Sequence, residues 1–208
     1  GRCPEAGGLG AVAEVSAMQR RTLPLLFGCM GLLLATGVTA QDTEAAAWQA
    51  LREGAIVLFR HANAPGVGDP KGFRLGYCST QRNLDATGQA QARQIGQQFL
   101  QRQIAVGSVL NSEWCRARDT AMLAFPGRAQ DQPVFNSFFD NAASAELQTA
   151  SAQAQLLAWR GPGALVVFTH QVNITAITGI VPSSGEGIVL RRVGNGLQVV
   201  GRVPPGTP

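Results

Sequence analysis

The chain has 208 residues, 45% of them hydrophobic, with 17 Lys and Arg against 13 Asp and Glu and a net charge of +4. This is enough chain for one substantial core. The positive charge is dispersed, with no Lys/Arg run and few aromatics to interleave with one, which argues against a nucleic-acid partner. All basic residues except Lys71 are arginines. Arginine's planar fork suits phosphate and carboxylate oxygens, although a GC-rich genome produces the same bias. Only two histidines occur, His61 and His170.

After Met18 come Gln19-Arg20-Arg21, an apolar stretch from Leu23 to Val38, and Val38-Thr39-Ala40 before Gln41. These are the n-region, h-region and small-residue cleavage site of a secretory signal. Cleavage near Ala40 predicts a periplasmic or secreted protein. It separates a leader and signal peptide over residues 1–40 from one catalytic domain over residues 41–208. Leu26-Phe27-Gly28-Cys29 resembles a lipobox, in which case Cys29 is lipidated instead of removed. The stretch is short for a stable span of ~20 apolar residues. Without the leader, Cys78 and Cys115 remain, and an even pair in an exported chain predicts a disulfide. It would close a loop of about 38 residues, worth ~4 kcal/mol in the chain-entropy model; two free buried thiols are the alternative.

A short helix is predicted over Glu44–Arg52, and Gly54 separates it from a buried strand over 55–60. Pro65, Gly66, Gly68, Pro70, Gly72 and Gly76 make residues 62–80 a long loop. Thr87 caps a predicted helix to about Arg102, with Ala92, Ile95, Phe99 and Leu100 on its apolar stripe. A strand over 106–110 leads to a helix capped by Ser112 and carrying Arg116, Thr120 and Leu123. Another helix covers about 145–159, stopped by Gly161-Pro162-Gly163 ahead of a strand over 164–169 and a helix over 172–177. Strands 187–193 and 197–203, joined at Gly194-Asn195-Gly196, read as a hairpin. This order predicts an α/β fold, a three-layer α/β/α sandwich with a mostly parallel mixed sheet.

Each histidine ends an apolar strand, in Ala55-Ile-Val-Leu-Phe-Arg60-His61 and Ala164-Leu-Val-Val-Phe-Thr169-His170. Ligands of open α/β sheets collect at the carboxyl ends of strands, so both imidazoles and Arg60 are expected in one crevice. Either histidine alone is equally well read as an ordinary, satisfied side chain at a strand end.

Four segments carry a family resemblance. They are Arg60-His61-Ala62, Ser112-Glu113-Trp114-Cys115-Arg116-Ala117-Arg118-Asp119-Thr120, Thr169-His170-Gln171, and the helix start from Leu84 through Gly88 to Gln91-Ala92. In this order they resemble the histidine phosphatase superfamily, the phosphoglycerate-mutase-like enzymes, over about residues 54–180. The resemblance implies a phosphomonoester hydrolase that needs no cofactor and no metal. In it a neutral imidazole attacks phosphorus and is transiently phosphorylated, which demands charge stabilisation on the phosphoryl oxygens. By resemblance His61 is the nucleophile, Arg60 and Arg116 clamp those oxygens, and His170 completes the clamp. Asn63 and Arg82 are candidate substrate contacts, and Asn173 is a candidate to orient His170.

The sequence departs from the family pattern at two places. Ala62 stands where most members have glycine, and Gln171 stands where acid-phosphatase types carry the proton-donating aspartate. Asp140, in Phe138-Phe139-Asp140, is the candidate general acid, beside the plain reading of a surface-loop carboxylate. Arg60-His61-Ala62 and Cys78-Ser-Thr-Gln-Arg-Asn-Leu84 also resemble exported enzymes that dephosphorylate lipopolysaccharide core heptose phosphates. The expected partner is a small phosphorylated substrate, with a lipopolysaccharide core sugar phosphate as the specific case. Two rivals remain: a phosphate-binding module of the same fold with little catalysis, and a metal site, which lacks clustered ligands such as His-x-x-x-His.

Overall fold

Apolar residues at every position of a strand allow it to be covered on both faces, and that decides the layering here. The computed structural model describes residues 40–206. The leader, the signal peptide and the lipobox at Cys29 lie outside these residues, apart from Ala40, which opens the first helix. The elements are α1 (Ala40–Arg52), β1 (Ile56–Arg60), α2 (Ala86–Gln101), β2 (Val106–Asn111), α3 (Cys115–Ala124), β3 (Ala129–Asp131), α4 (Ala145–Ala158), β4 (Ala164–Thr169), α5 (Gln171–Thr178), β5 (Gly187–Val193) and β6 (Gly196–Val203). One sheet has the order β3-β2-β4-β1-β5-β6. Strands β1 to β4 pair in parallel, while β5 is antiparallel to β1 and to β6. This is the expected three-layer α/β/α sandwich with a mostly parallel sheet.

Strand alternation sends Val57 and Phe59 to one face and Ile56 and Leu58 to the other. The first face is covered by Trp48 and Leu51 of α1, Ile95 and Phe99 of α2, and Ala121 of α3. Phe59 stacks on Phe168 at 5.4 Å, and Phe99 meets Phe125 edge-on at 5.3 Å. The second face is covered by Ala152 and Leu156 of α4 and Ile174 of α5. Helices of α1 to α3 thus oppose those of α4 and α5 across the sheet.

Several local expectations need correction. Helix α2 is capped by Asp85, whose carboxylate accepts from the Gly88 amide at 2.7 Å, and Thr87 lies exposed inside the first turn. Leu100 is 79% exposed instead of lying on the apolar stripe. At 100° per residue the inward position next to Ile95 and Phe99 is Gly96, and a Cβ there would sit 2.0 Å from the Ala124 carbonyl of α3. Helix α3 begins three residues after Ser112, whose hydroxyl is used elsewhere. Strand β3 was not expected, because its three residues, Ala-Gln-Asp, carry no apolar pattern. The hairpin turn holds as read: Gly194 takes φ +57, the sign that the first position of a two-residue turn requires.

The site is positioned by a topological switch point. Parallel neighbours β1 and β4 end in register, with Arg60 opposite Thr169. The chain leaves β1 toward α2 on one face and leaves β4 directly into α5 on the other, which opens a crevice at their carboxyl ends. A disulfide joins Cys78, at the end of the 62–80 loop, to Cys115, the first residue of α3, with Cα atoms 5.6 Å apart. Among the described residues no helix is long and apolar enough to cross a membrane.

Non-reducing peptide mapping is expected to recover Cys78 and Cys115 in one linked fragment. Denaturant melts should show Phe59→Ala destabilised by about 3–5 kcal/mol, a fully buried ring lost from the stack, whereas Leu100→Ala should fall within about 0.5 kcal/mol of the parent.

Candidate active site

His61 is held at the end of β1 by its backbone, its N–H donating to the Thr169 carbonyl at 3.0 Å. Its ring is 3% exposed and engaged at both nitrogens. Nδ1 lies 2.8 Å from the Ala62 carbonyl, which can only accept, so the ring proton resides on Nδ1. Nε2 accepts from Arg116 Nε at 3.2 Å, and a guanidinium can only donate, so Nε2 presents its lone pair. Two independent neighbours thereby select one tautomer. Burial is the largest influence pulling the ring pKa down to about 3, and the fields of Arg116, Arg60 and Arg82 add to it. His61 is neutral at physiological pH.

Arg116 reaches His61 because α3 is stitched to the residue after it. The Ala62 amide donates to Thr120 Oγ1 at 3.1 Å, and Thr120 Oγ1 donates to the Arg116 carbonyl at 2.6 Å. This explains a threonine four residues after the arginine. Ala62 is fully buried and does not line the cavity, so its methyl group does not obstruct that space. Arg60 leans on the other wall, where Nη1 donates to the Pro182 carbonyl at 3.0 Å. Its Nε is buried with no acceptor, an unusual cost for a cationic N–H.

His170 follows β4 as His61 follows β1, and the two rings lie 5.5 Å apart. Its Nε2 is 2.8 Å from Ser112 Oγ. Ser112 also meets Asn136 Oδ1 at 3.2 Å and accepts from the Trp114 amide. The expected helix cap is therefore a positioning group for the second histidine. Burial first, then the neighbouring His61 and the three arginines, hold the His170 pKa well below the usual histidine value. Asn173, a candidate for orienting His170, instead donates to the Asn136 carbonyl at 2.9 Å. Asn63 is also turned away: its Nδ2 donates to Asp85 Oδ2 and its amide to Gln91 Oε1, and it does not line the cavity.

These groups surround a cavity of about 440 Å³ walled by Arg60, His61, Arg82, Arg116 and His170, with Phe73, Trp114 and Phe139 also in its lining. Two carboxylates line it, Asp69 and Asp140. Asp140 is exposed at the rim, next to the 55% exposed Phe139. Asp69 was not singled out by sequence reasoning and is deeply engaged. Its Oδ1 accepts from Arg116 Nη1 at 2.8 Å and from the Arg82 amide at 3.0 Å, and its Oδ2 accepts from Trp114 Nε1 at 3.0 Å. The Asp69 and Arg116 side chains are each 4% exposed. Gly68, at φ +66, supplies the left-handed turn that aims Asp69 inward.

Arg82 secures that loop more than it reaches outward. Its Nε donates to the Gly68 carbonyl at 2.7 Å and its Nη1 to the Ala64 carbonyl. Gln81 accepts from the Cys115 amide at the start of α3, and Asn83 Nδ2 donates to the Cys78 carbonyl. The Cys78–Leu84 stretch is thus an anchor for the loop. Burial lowers the pKa of Arg60, Arg82 and Arg116; Arg82 adds its repulsion to the other two, and Asp69 opposes the effect at Arg82 and Arg116. Three crowded guanidiniums with one buried counter-ion favour an entering anion. Among the described residues no group of three or more His, Cys, Asp or Glu side chains is gathered to hold a metal.

The fold is similar to that of the protein histidine phosphatase SixA complexed with tungstate, at a TM-score of 0.52 and 14% identity over 73% of this chain and 97% of that one. It is also similar to a phosphoserine phosphatase variant from Entamoeba histolytica in complex with phosphoserine, at 0.53 and 12% over 72% and 96% of the two chains. An open reading frame product from Mycobacterium tuberculosis matches at 0.53 and 16% over 74% and 97%. At these identities the likeness speaks for the fold, the phosphoglycerate-mutase-like sandwich. No protein-family model and no curated protein matches the sequence.

The His61 pKa of about 3 lies below the 6.5 of an ordinary histidine, so between those values the unfolded chain binds a proton that the folded chain does not. The resulting stabilisation is complete above 6.5 and is lost as pH falls through about 3. Imidazole ¹⁵N spectra should show the His61 Nδ1–H tautomer still neutral at about pH 5, and a protonated ring there would contradict the geometry.

Proposed function

We propose that this chain is a phosphomonoester hydrolase that works through a phosphohistidine on His61. The observation that carries the proposal is the state of His61 itself. A buried, neutral imidazole holds its acceptor nitrogen Nε2 at a cavity lined by three arginines, one of which, Arg116, occupies that lone pair, with the ring fixed from behind by the Ala62 carbonyl. That is the arrangement an attack on phosphorus needs. Two of the solved structures with this fold are described as phosphatases, one with tungstate and one with phosphoserine bound, which supports the reading.

In the first half of the reaction, Nε2 attacks phosphorus in line with the leaving oxygen. Arg116 turns its guanidinium onto the phosphoryl oxygens, and Arg60 gains an acceptor for its orphaned Nε. His170, held through Nε2 by Ser112, offers its other nitrogen to the same group. In the second half, water attacks the phosphohistidine, the P–N bond breaks, and neutral His61 is restored. The leaving oxygen needs a proton in the first step, and Asp69 and Asp140 are the carboxylates in the wall.

The finer reading is export and a sugar phosphate. The signal-like segment ahead of Gln41 and the Cys78–Cys115 disulfide both support a periplasmic protein. Phe73, Trp114 and Phe139 give the cavity apolar walls suited to the flat face of a sugar ring, in line with a lipopolysaccharide core sugar phosphate as substrate.

Steady-state assays on p-nitrophenyl phosphate should show activity abolished in His61→Ala and reduced by about 10²–10³ in kcat/KM in Arg116→Ala. Acid-labile phosphate should appear on wild-type protein and be absent from His61→Ala. Equal background rates for wild type and His61→Ala would instead identify a phosphate-binding module without catalysis.

A further inference from the structure

The proton donor expected from the sequence, Asp140, is exposed at the rim, and none of the hydrogen bonds of the site involves its carboxylate. The other carboxylate of the wall lies far deeper. Asp69 touches Nη1 of the same guanidinium whose Nε touches His61 Nε2, so one planar group separates the acid from the nucleophilic nitrogen. The leaving oxygen of an in-line displacement stands on the far side of phosphorus from Nε2, and Arg116 and Asp69 both line the cavity that has to receive it. Trp114 Nε1 and the Arg82 amide fix both carboxylate oxygens there.

We propose that Asp69 is the proton donor to the leaving oxygen and the base that later activates water. The proposal rests on the phosphohistidine reading above. Before substrate enters, Asp69 is the anion that occupies Arg116. A phosphomonoester monoanion brought to Arg116 places two anions on one guanidinium, and the proton it carries passes to Asp69, which relieves the repulsion. As the N–P bond to His61 forms and the P–O bond breaks, that proton moves from the Asp69 carboxyl to the departing oxygen, which leaves as an alcohol. The Asp69 carboxylate then takes a proton from water as its oxygen attacks phosphorus. The P–N bond breaks, inorganic phosphate leaves as the monoanion with that proton, and Asp69 is again the carboxylate that occupies Arg116. Charge and protons balance over the two halves with no other reactant.

The attachments of the loop serve this placement. Gly68 turns Asp69 inward, Arg82 grips the carbonyls of Gly68 and Ala64, and the Cys78 disulfide ties the loop to α3, one residue before Arg116. The acid and the arginine it shares with the substrate are therefore held from one covalent junction.

Leaving groups of graded basicity test the assignment. Asp69→Asn keeps an oxygen acceptor for Arg116 but cannot donate a carboxyl proton. On alkyl phosphates, whose leaving group needs a proton, kcat/KM should fall about 100-fold or more, with a much smaller fall on p-nitrophenyl phosphate, whose leaving group departs as an anion. p-Nitrophenyl phosphate should still phosphorylate His61 in this variant. An even loss across the series would overturn the proposal, because a purely structural Asp69 does not discriminate among leaving groups. A leaving-group-dependent loss in Asp140→Asn, with an even one in Asp69→Asn, would transfer the role to the rim. Wild-type protein gives a check independent of how the variant folds: a shallow dependence on leaving-group basicity supports an internal acid, and a steep one overturns it. Absence of both turnover and phosphohistidine in wild type with p-nitrophenyl phosphate would sink the hydrolase reading itself, and this proposal with it.

Discussion

Everything at this site depends on the in-register parallel pairing of β1 with β4. Arg60 faces Thr169 across the pair, and the His61 amide donates to the Thr169 carbonyl, so the residues that follow the two strands are forced side by side. The connections then diverge to opposite faces of the sheet, and the divergence creates the opening that the two imidazoles fill. A register slip of one residue would exchange the faces of every side chain on β1 and separate the histidines at once. The aromatic stack of Phe59 on Phe168, one residue earlier on each strand, locks that register from inside the core.

The site is costly to the fold that carries it. Two neutral histidines, three partly desolvated arginines and a single buried carboxylate are packed at one end of the sheet, and Arg60 keeps a buried N–H unpaired. Such groups would be replaced by apolar side chains if stability alone were at stake. The Asp69–Arg116 pair reduces the penalty without removing it, since Arg60 and Arg82 have no carboxylate of their own in the cavity wall beyond the exposed Asp140. The arrangement is incomplete as an electrostatic unit until an oxyanion enters.

Much of this was legible in the chain, for physical reasons that can be named. Runs such as Ile56-Val-Leu-Phe read as strands covered on both faces, and Gly194-Asn195 as a hairpin turn, because those signals are local. His61, His170, Arg60 and Arg116 stood out because their motifs sit at strand and helix ends. What is not legible in the chain depends on tertiary contact. Asp69 gains its importance from Arg116, 47 positions away, and in a loop of glycine and proline one aspartate looks like any other. Ser112 reads as a cap because serine before a helix usually is one, yet its hydroxyl is held by His170. Asp85 takes the cap of α2 from Thr87, since one of its carboxylate oxygens accepts from the Gly88 amide and the other is held by Asn63, a contact from a distant segment. Asn63 and Asn173 lay beside the right histidines in sequence but bond elsewhere.

The anchoring of the 62–80 loop has an entropic consequence for recognition. A segment rich in glycine would, left free, sample many conformations, at a cost of roughly 1–2 kcal/mol per residue to order. Here the disulfide, the Arg82 grip and the contact of Phe73 with Trp114 bring the ordering forward into folding. A ligand then meets a preorganised wall, and its binding free energy goes into affinity and orientation instead of immobilising chain. Selection among ligands falls accordingly to the shape and charge of a rigid cavity, and little to a loop that remoulds itself around each one.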